Sequence, residues 1–253
     1  MKCWRNLSVV GALVVAMLSL SGVAQAQTAA AASGDSPWVF DLGFGIDLNV
    51  NGNINSGAIG RLQGQATAIL PNSYGEVYGA GLHFKFGGGY VLNPQSELRG
   101  IFTFQSADAN LVRLGDMGAS SLYGQYSDYV SLGLDLGYRR YFPIENSSIR
   151  FFGEGTVGMA FIDEVNVVLS APQANLVVDQ TDFYDRTGAF TLGVNFGVLV
   201  PVATKVDLSA QIGLRRVSGL SEVDQLAGTG LDDINDDSSR LTFPIVIGAR
   251  FRF

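Results

Sequence analysis

The chain has 253 residues, 47% of them hydrophobic and 32 of them glycine, with 23 acidic side chains against 16 basic ones and a net charge of −7. That balance argues against nucleic acid as a partner. The single cysteine, Cys3, excludes a disulfide framework and a thiolate metal site.

Lys2 and Arg5 form a positive start, Val9 to Leu20 is an apolar run, and Ala24-Gln25-Ala26 is a small-x-small cleavage site. Residues 1–26 therefore read as a secretory signal peptide, because the apolar run is shorter than the ~20 residues of a spanning helix. Cys3 lies ahead of that run, too early for a lipoprotein acceptor. Without the leader, 14 basic residues face 23 acidic ones, a net charge of −9 on one domain of 227 residues. Residues 27–37, rich in Ala, Ser and Gln and ending at Pro37, read as a flexible periplasmic lead.

Alternation then begins, with strand side chains changing sides at each residue. Phe40, Leu42, Phe44, Ile46, Leu48 and Val50 oppose Asp41, Gly43, Gly45, Asp47 and Asn49. A second strand, about Gly75 to Leu92, sets Tyr78, Ala80, Leu82, Phe84, Phe86 and Tyr90 against His83, Lys85 and several glycines. After a turn at Asn93-Pro94-Gln95, a third strand (about Ser96 to Ser106) sets Leu98, Phe102 and Phe104 against Glu97, Arg99, Thr103 and Gln105. The fourth, about Tyr126 to Tyr141, sets Val130, Leu132, Leu134, Leu136 and Tyr138 against Ser131, Asp135 and Arg139. The fifth, about Ile149 to Ile162, opposes Phe151, Val157, Met159 and Phe161 to Arg150, Glu154 and Thr156. The sixth, Ala189 to Val200, opposes Phe190, Leu192, Val194 and Phe196 to Thr191 and Asn195; the seventh, Lys205 to Val217, opposes Val206, Leu208, Ile212 and Leu214 to Asp207, Gln211 and Arg215. The eighth, Leu241 to Phe253, places Phe243, Ile245, Ile247, Phe251 and Phe253 opposite Thr242, Arg250 and Arg252.

Connections alternate between short (93–95, 143–148, 201–204) and long (about 51–74, 107–125, 163–188, 218–239). An even strand count with short periplasmic turns and long extracellular loops predicts an all-β, eight-stranded antiparallel transmembrane up-and-down barrel, over 38–253 with both termini periplasmic. A soluble lipocalin-like barrel would alternate too, with its greasy face inward. The apolar faces carry no charge, however, and aromatics recur near strand ends at Trp38, Phe40, Tyr90, Phe104, Tyr138, Phe142, Phe161 and Phe253, as in membrane girdles.

The eight segments, the stretch Gly79-Ala80-Gly81-Leu82-His83-Phe84-Lys85-Phe86-Gly87-Gly88-Gly89-Tyr90 and the ending Gly248-Ala249-Arg250-Phe251-Arg252-Phe253 resemble the small outer-membrane β-barrel superfamily, the OmpX-, OmpW-, Opa- and Omp25-like proteins. The likeness covers the whole chain after the leader. It implies bacterial outer-membrane localisation, with lipopolysaccharide and phospholipid around the barrel. By the same likeness Phe251 and Phe253 form the signal for the barrel-assembly machinery; a membrane-interface anchor is the alternative role for Phe253.

The fold hosts adhesins, structural proteins, channels and lipid enzymes, so function must come from sites. His83 lacks a serine two residues away, which departs from the His-x-Ser pattern of deacylase barrels, and no catalytic, metal or cofactor site is expected. An eight-stranded lumen has room only for side chains. The inward set of Asp41, Asp47, His83, Lys85, Glu97, Arg99, Asp135, Arg139, Arg150, Glu154, Asp207, Arg215, Arg250 and Arg252 therefore predicts a salt-bridged polar network. Asp232-Asp233-Ile234-Asn235-Asp236-Asp237 lacks EF-hand spacing and reads as a solvated loop tip. Loop three reads as a raised hairpin around Ala171-Pro172-Gln173-Ala174, open to strand addition by a partner or packed on its neighbours. The expected role is structural or surface-interaction, with a ligand at the loops; the alternatives are a narrow porin-like channel and, behind it, a lipid A-modifying enzyme.

Overall fold

The computed structural model describes residues 36–223, 228–235 and 238–253. The leader read over 1–26, the lead up to residue 35, and Asp236 and Asp237 of the acidic run lie outside the described residues. Strand β1 (Trp38–Asn51) leads into a first loop carrying β2 (Asn53–Asn55), β3 (Ala58–Leu62), β4 (Gln65–Ile69), β5 (Asn72–Ser73) and one helical turn, α1 (Tyr74–Val77). A tight turn joins β6 (Gly81–Asn93) to β7 (Ser96–Ala107), and the second loop carries β8 (Leu111–Met117) and β9 (Ser120–Tyr126). Next come β10 (Tyr129–Pro143) and β11 (Arg150–Ile162), then a third loop with β12 (Val165–Ala171), a 3₁₀ turn at Pro172–Ala174 and β13 (Leu176–Asp185). Strands β14 (Thr187–Ala203) and β15 (Val206–Val217) precede β16 (Ser221–Glu222) in the fourth loop, and β17 (Arg240–Arg252) ends the fold.

Eight of these strands close into a barrel in the order β1-β17-β15-β14-β11-β10-β7-β6, every pair antiparallel. Closure leaves no open edge, which a hydrocarbon layer requires because it offers nothing to an unpaired backbone amide. A cross-strand row begun at Phe40 runs through Gly88, Gly100, Leu136, Val157, Leu192, Arg216 and Leu241 and returns to β1 at Asn51. That displacement along β1 is the stagger that tilts strands by roughly 35–45° in such barrels. The outer wall exposes Phe44, Phe84, Leu134, Leu136, Leu192 and Phe196, an apolar belt suited to lipid, while Asp, Glu, Lys and Arg are buried inside. The fold is thus a transmembrane up-and-down barrel. Among the described residues, no helix is long and apolar enough to cross a membrane.

The second strand departs from its sequence reading. It starts at Gly81 rather than near Gly75, because the Ser73–Glu76 capping box makes residues 74–77 a helical turn. Tyr78, read as outward on that strand, is instead fully buried.

What buries Tyr78 is a structure the loop lengths did not announce. All four long loops combine into one seven-stranded sheet, ordered β16-β13-β12-β9-β8-β4-β3, that caps one end of the barrel. Loop four brings its ends together: β16 pairs with β13, while the Thr229 carbonyl accepts from the Arg61 amide of β3 at 2.8 Å. Inside lies an apolar core including Ile54, Leu62, Leu122, Leu169, Phe183 and Leu231, each contributing about 1.5–3 kcal/mol by leaving water. In loop three, β12 is paired on both sides, to β9 and β13, so that edge of the hairpin packs on its neighbour, while among the described residues β13 is paired on its outer side only at Tyr184 and Asp185, to β16.

Tyrosine hydroxyls stitch the loops together. Tyr74 donates to the Ser238 carbonyl at 3.0 Å, Tyr78 to the Ser127 carbonyl at 3.0 Å, Tyr126 to Asn55 Oδ1 at 3.1 Å and Tyr184 to the Ile54 carbonyl at 2.6 Å. Burial pushes the phenols of Tyr74, Tyr78 and Tyr126 above the ordinary value of 10.0. Their folded pKa values are raised, so the stability they contribute is complete below pH 10.0 and falls above it, as the opened cap releases protons that the folded cap retains. Limited proteolysis across this range should show loops one and two becoming cleavable above pH 10.0, while the barrel persists as a protected fragment.

Candidate functional site

Strand register converts the inward charges into contacts. Arg139 on β10 lies directly opposite Glu97 of β7 on one side and Glu154 of β11 on the other, so three neighbouring strands present acid, base and acid in a row. Asp41 and Asp207 likewise flank Arg250 of β17. Such alternation is the favourable cross-strand pairing for charges.

Glu154 is the hub. Its Oε1 accepts from Lys85 Nζ at 2.8 Å and Asn195 Nδ2 at 3.2 Å; its Oε2 accepts from Arg99 Nη1 at 2.6 Å and Arg139 Nε at 3.0 Å. Arg99 also reaches Asp41 at 2.8 Å and Glu97 at 3.4 Å. Arg250 grips Glu97 with two nitrogens, at 2.6 and 3.1 Å, and donates to the Tyr141 hydroxyl. The Arg139 guanidinium lies 3.9 Å from the centre of the Phe152 ring. At the mouth near the short turns, Asp207 pairs with Arg150 and Arg252, each at 3.0 Å, and these two arginines remain partly exposed.

A second group lies nearer the cap. Gln105 donates to Asp47 at 2.5 Å and sits 3.2 Å from His83 Nδ1, while its carbonyl accepts from Ser131 at 3.2 Å. Asp135 accepts from Thr191 at 2.5 Å and pairs with Arg215 at 3.4 Å. Between the two groups remains a space of about 30 Å³ open to the centres of water molecules, lined among others by His83, Lys85, Thr103, Asp135 and Arg215, room for roughly two waters at ~10–15 Å³ each.

Glycine makes this density feasible. A Cβ at Gly133 would overlap the Thr103 hydroxyl and press on Arg215, and one at Gly197 would overlap the Phe152 ring. Every member of the inward set therefore sits on the lumen face, with Arg150 and Arg252 at its mouth. Phe251 is half-buried and Phe253 exposed on the outer face at the turn end.

Tyr141 and Arg240 are among the lumen residues that the sequence reading leaves out. Tyr141 ends the fourth strand as read and shares parity with Arg139. Arg240, just before the eighth strand as read, is buried, donates to Asn49 Oδ1 at 2.6 Å and lies 4.3 Å from the centre of the Tyr129 ring, beneath the cap. Its parity with Thr242 was the available signal.

Chemically, the lumen binds itself. His83 meets an amide rather than a nucleophile. Among the described residues no group of three His, Cys, Asp or Glu side chains is arranged to hold a metal ion.

No protein-family model and no curated protein matches the chain. Among solved structures it is similar to Neisserial surface protein A (NspA), at 14% identity and a TM-score of 0.44, covering 87% of this chain and 100% of that one. It is also similar to the outer-membrane protein OprG of Pseudomonas aeruginosa, at 12% identity and a TM-score of 0.45, covering 87% and 96% respectively. A third is Ail, the attachment invasion locus protein of Yersinia pestis, solved with the heparin analogue sucrose octasulfate, at 11% identity and a TM-score of 0.38, covering 86% and 100%.

Replacing Glu154 with Gln keeps its shape but leaves three cations short of their shared acid. Removing one partner of a buried ion pair costs about 3–5 kcal/mol, so guanidinium denaturation of E154Q in vesicles should show a loss of that order. Asp116→Asn, which breaks the half-exposed Arg113–Asp116 pair on the cap, should leave the curve unchanged.

Proposed function

We propose that this chain is an integral barrel of a bacterial outer membrane, not an enzyme, with a structural or surface-interaction role carried by its loop cap. The observation that carries this reading is the seven-stranded cap with its own apolar core, standing over a lumen filled by paired charges. A channel needs a continuous water path, whereas here the Glu154 cluster lies on one side of a space of about 30 Å³ and the capped end on the other. That favours the closed barrel over porin-like conduction. His83, held by Gln105, gives the lipid-enzyme alternative no nucleophile.

In the proposed orientation the cap is extracellular and the short turns and both termini are periplasmic, following the usual placement of long loops. The cap then offers a rigid surface, exposing Ile59, Leu111, Val177 and the Arg113–Asp116 pair, on which an extracellular partner would dock. Lipopolysaccharide and phospholipid would surround the apolar belt, and the barrel-assembly machinery would read Phe251 and Phe253.

Planar-bilayer recording on refolded protein tests the closed reading: the expected trace shows no stable openings, and regular unitary steps would transfer the assignment to the channel. Protease added to intact cells reads the orientation, since cuts should fall in the long loops and spare the short turns. For the terminal aromatic, Phe253→Ala should lower the amount of assembled barrel in cells while leaving refolding into detergent unchanged. Equal losses in both would make Phe253 an anchor rather than a signal.

A further inference from the structure

The lipid-facing wall of the barrel is not uniform. The sequence reading of charge-free apolar faces does not hold at the strand ends: among the wall's described residues two charges point outward, Arg140 near the turn end of β10 and Arg216 near the loop end of β15, where a long side chain reaches past the hydrocarbon. Arg140 stands between outward Tyr138 and Phe142, inside the aromatic girdle, with Ser96 and Gly153 as its cross-strand neighbours. Its Nη2 donates to the neutral Gln95 Oε1 at 3.3 Å, its side chain meets the Tyr138 hydroxyl, and no carboxylate among the described residues pairs with it. A guanidinium on a lipid-facing wall is unfavourable unless it reaches the headgroup layer and finds an anion there.

Further up the same wall lies a groove of about 820 Å³. Gly88 and Gly100, paired across β6 and β7, form its floor, where an added Cβ would meet open space. Phe86 and Phe102, with ring centres 5.0 Å apart, and Leu136 form its sides. Leu136 and Arg140 share a strand and a face four residues apart, about 13 Å at roughly 3.3 Å per residue. With a strand tilt of about 45° the groove lies some 9 Å deeper than the guanidinium. That is the depth of the upper acyl carbons below a lipid phosphate.

We propose that this wall holds one anionic glycerophospholipid of the turn-end leaflet, its phosphate on Arg140 and Tyr138 and one acyl chain in the Gly88–Gly100 groove. The unpaired cation is complementary to a phosphate and the groove to a hydrocarbon chain, and their separation matches a single molecule carrying both. The choice of glycerophospholipid over lipid A rests on the orientation proposed above, which protease cutting reads separately.

The test is native mass spectrometry of refolded protein offered equal amounts of phosphatidylglycerol and phosphatidylcholine with identical acyl chains. The wild type should retain phosphatidylglycerol about fivefold over phosphatidylcholine, the preference expected of one arginine at a lipid surface. Arg140→Gln should bring that ratio to about one and Arg140→Lys should keep most of it. Gly100→Leu should reduce retention of both lipids while preserving the ratio; heat-modifiable gel migration would verify that each variant is folded. Equal retention by the wild type, an unchanged ratio in R140Q or unchanged retention in G100L would overturn the proposal. So would displacement of phosphatidylglycerol by equimolar lipid A, or protein dimers in place of lipid adducts.

Discussion

Closure of eight strands is the constraint from which the rest of this molecule follows. A sheet crossing hydrocarbon must satisfy its own backbone, so it closes, and eight tilted strands enclose a space that side chains alone fill. Charges inside so narrow a tube are far from bulk water, where unpaired ions are untenable. The lumen therefore holds acids and bases interleaved row by row, with Glu154 taking three cations and Glu97 holding Arg250 with both oxygens. Glycines at Gly133 and Gly197 follow from the same crowding, since any side chain there would displace Thr103 or Phe152.

This inner arrangement was partly legible in the sequence. Period-two alternation separated the polar face of each barrel strand from its greasy face, with Arg140 and Arg216 at strand ends as exceptions, because one side meets lipid and the other does not. Pairing was not legible, since parity says which way Glu154 points but not that strand register sets it opposite Arg139. Nor does parity alone foresee that Lys85, on a non-adjacent strand, reaches across the lumen to the same carboxylate. Those contacts depend on stagger, which the turns and the closure of the ring fix together. Tyr141 and Arg240 were missed for a different reason: each stands at the end of its strand as read, where alternation fades and boundaries are least certain.

The cap was illegible for a subtler reason. Leu122, Tyr126, Val130, Leu132, Leu134 and Leu136 all stand on even positions, with only Tyr123 and Tyr129 on odd ones, yet Leu122 and Tyr126 point into the cap core while Leu132 and Leu136 point out to lipid. The same continuity joins buried Tyr78 to exposed Leu82, and exposed Phe161 to buried Val165. Sequence alternation thus reads as one long strand at these places, although the apolar side turns between the cap core and lipid within it.

The crossing points show how one pattern serves both halves. Ser127 and Asp128, and Asp163 and Glu164, lie outside the strands that they join, and Gly79 and Ala80 lead from the helical turn α1 and Tyr78 into β6. At each the chain turns so that its greasy face passes from outside to inside without changing parity. The change follows the solvent: in hydrocarbon the wall must be apolar outward, and in water an apolar wall is stable only when turned inward. Two acids and an acid-serine pair occupy two of these joints, which suits residues placed where lipid gives way to water. The membrane boundary is therefore written into the chain as the set of places where alternation persists but its meaning reverses.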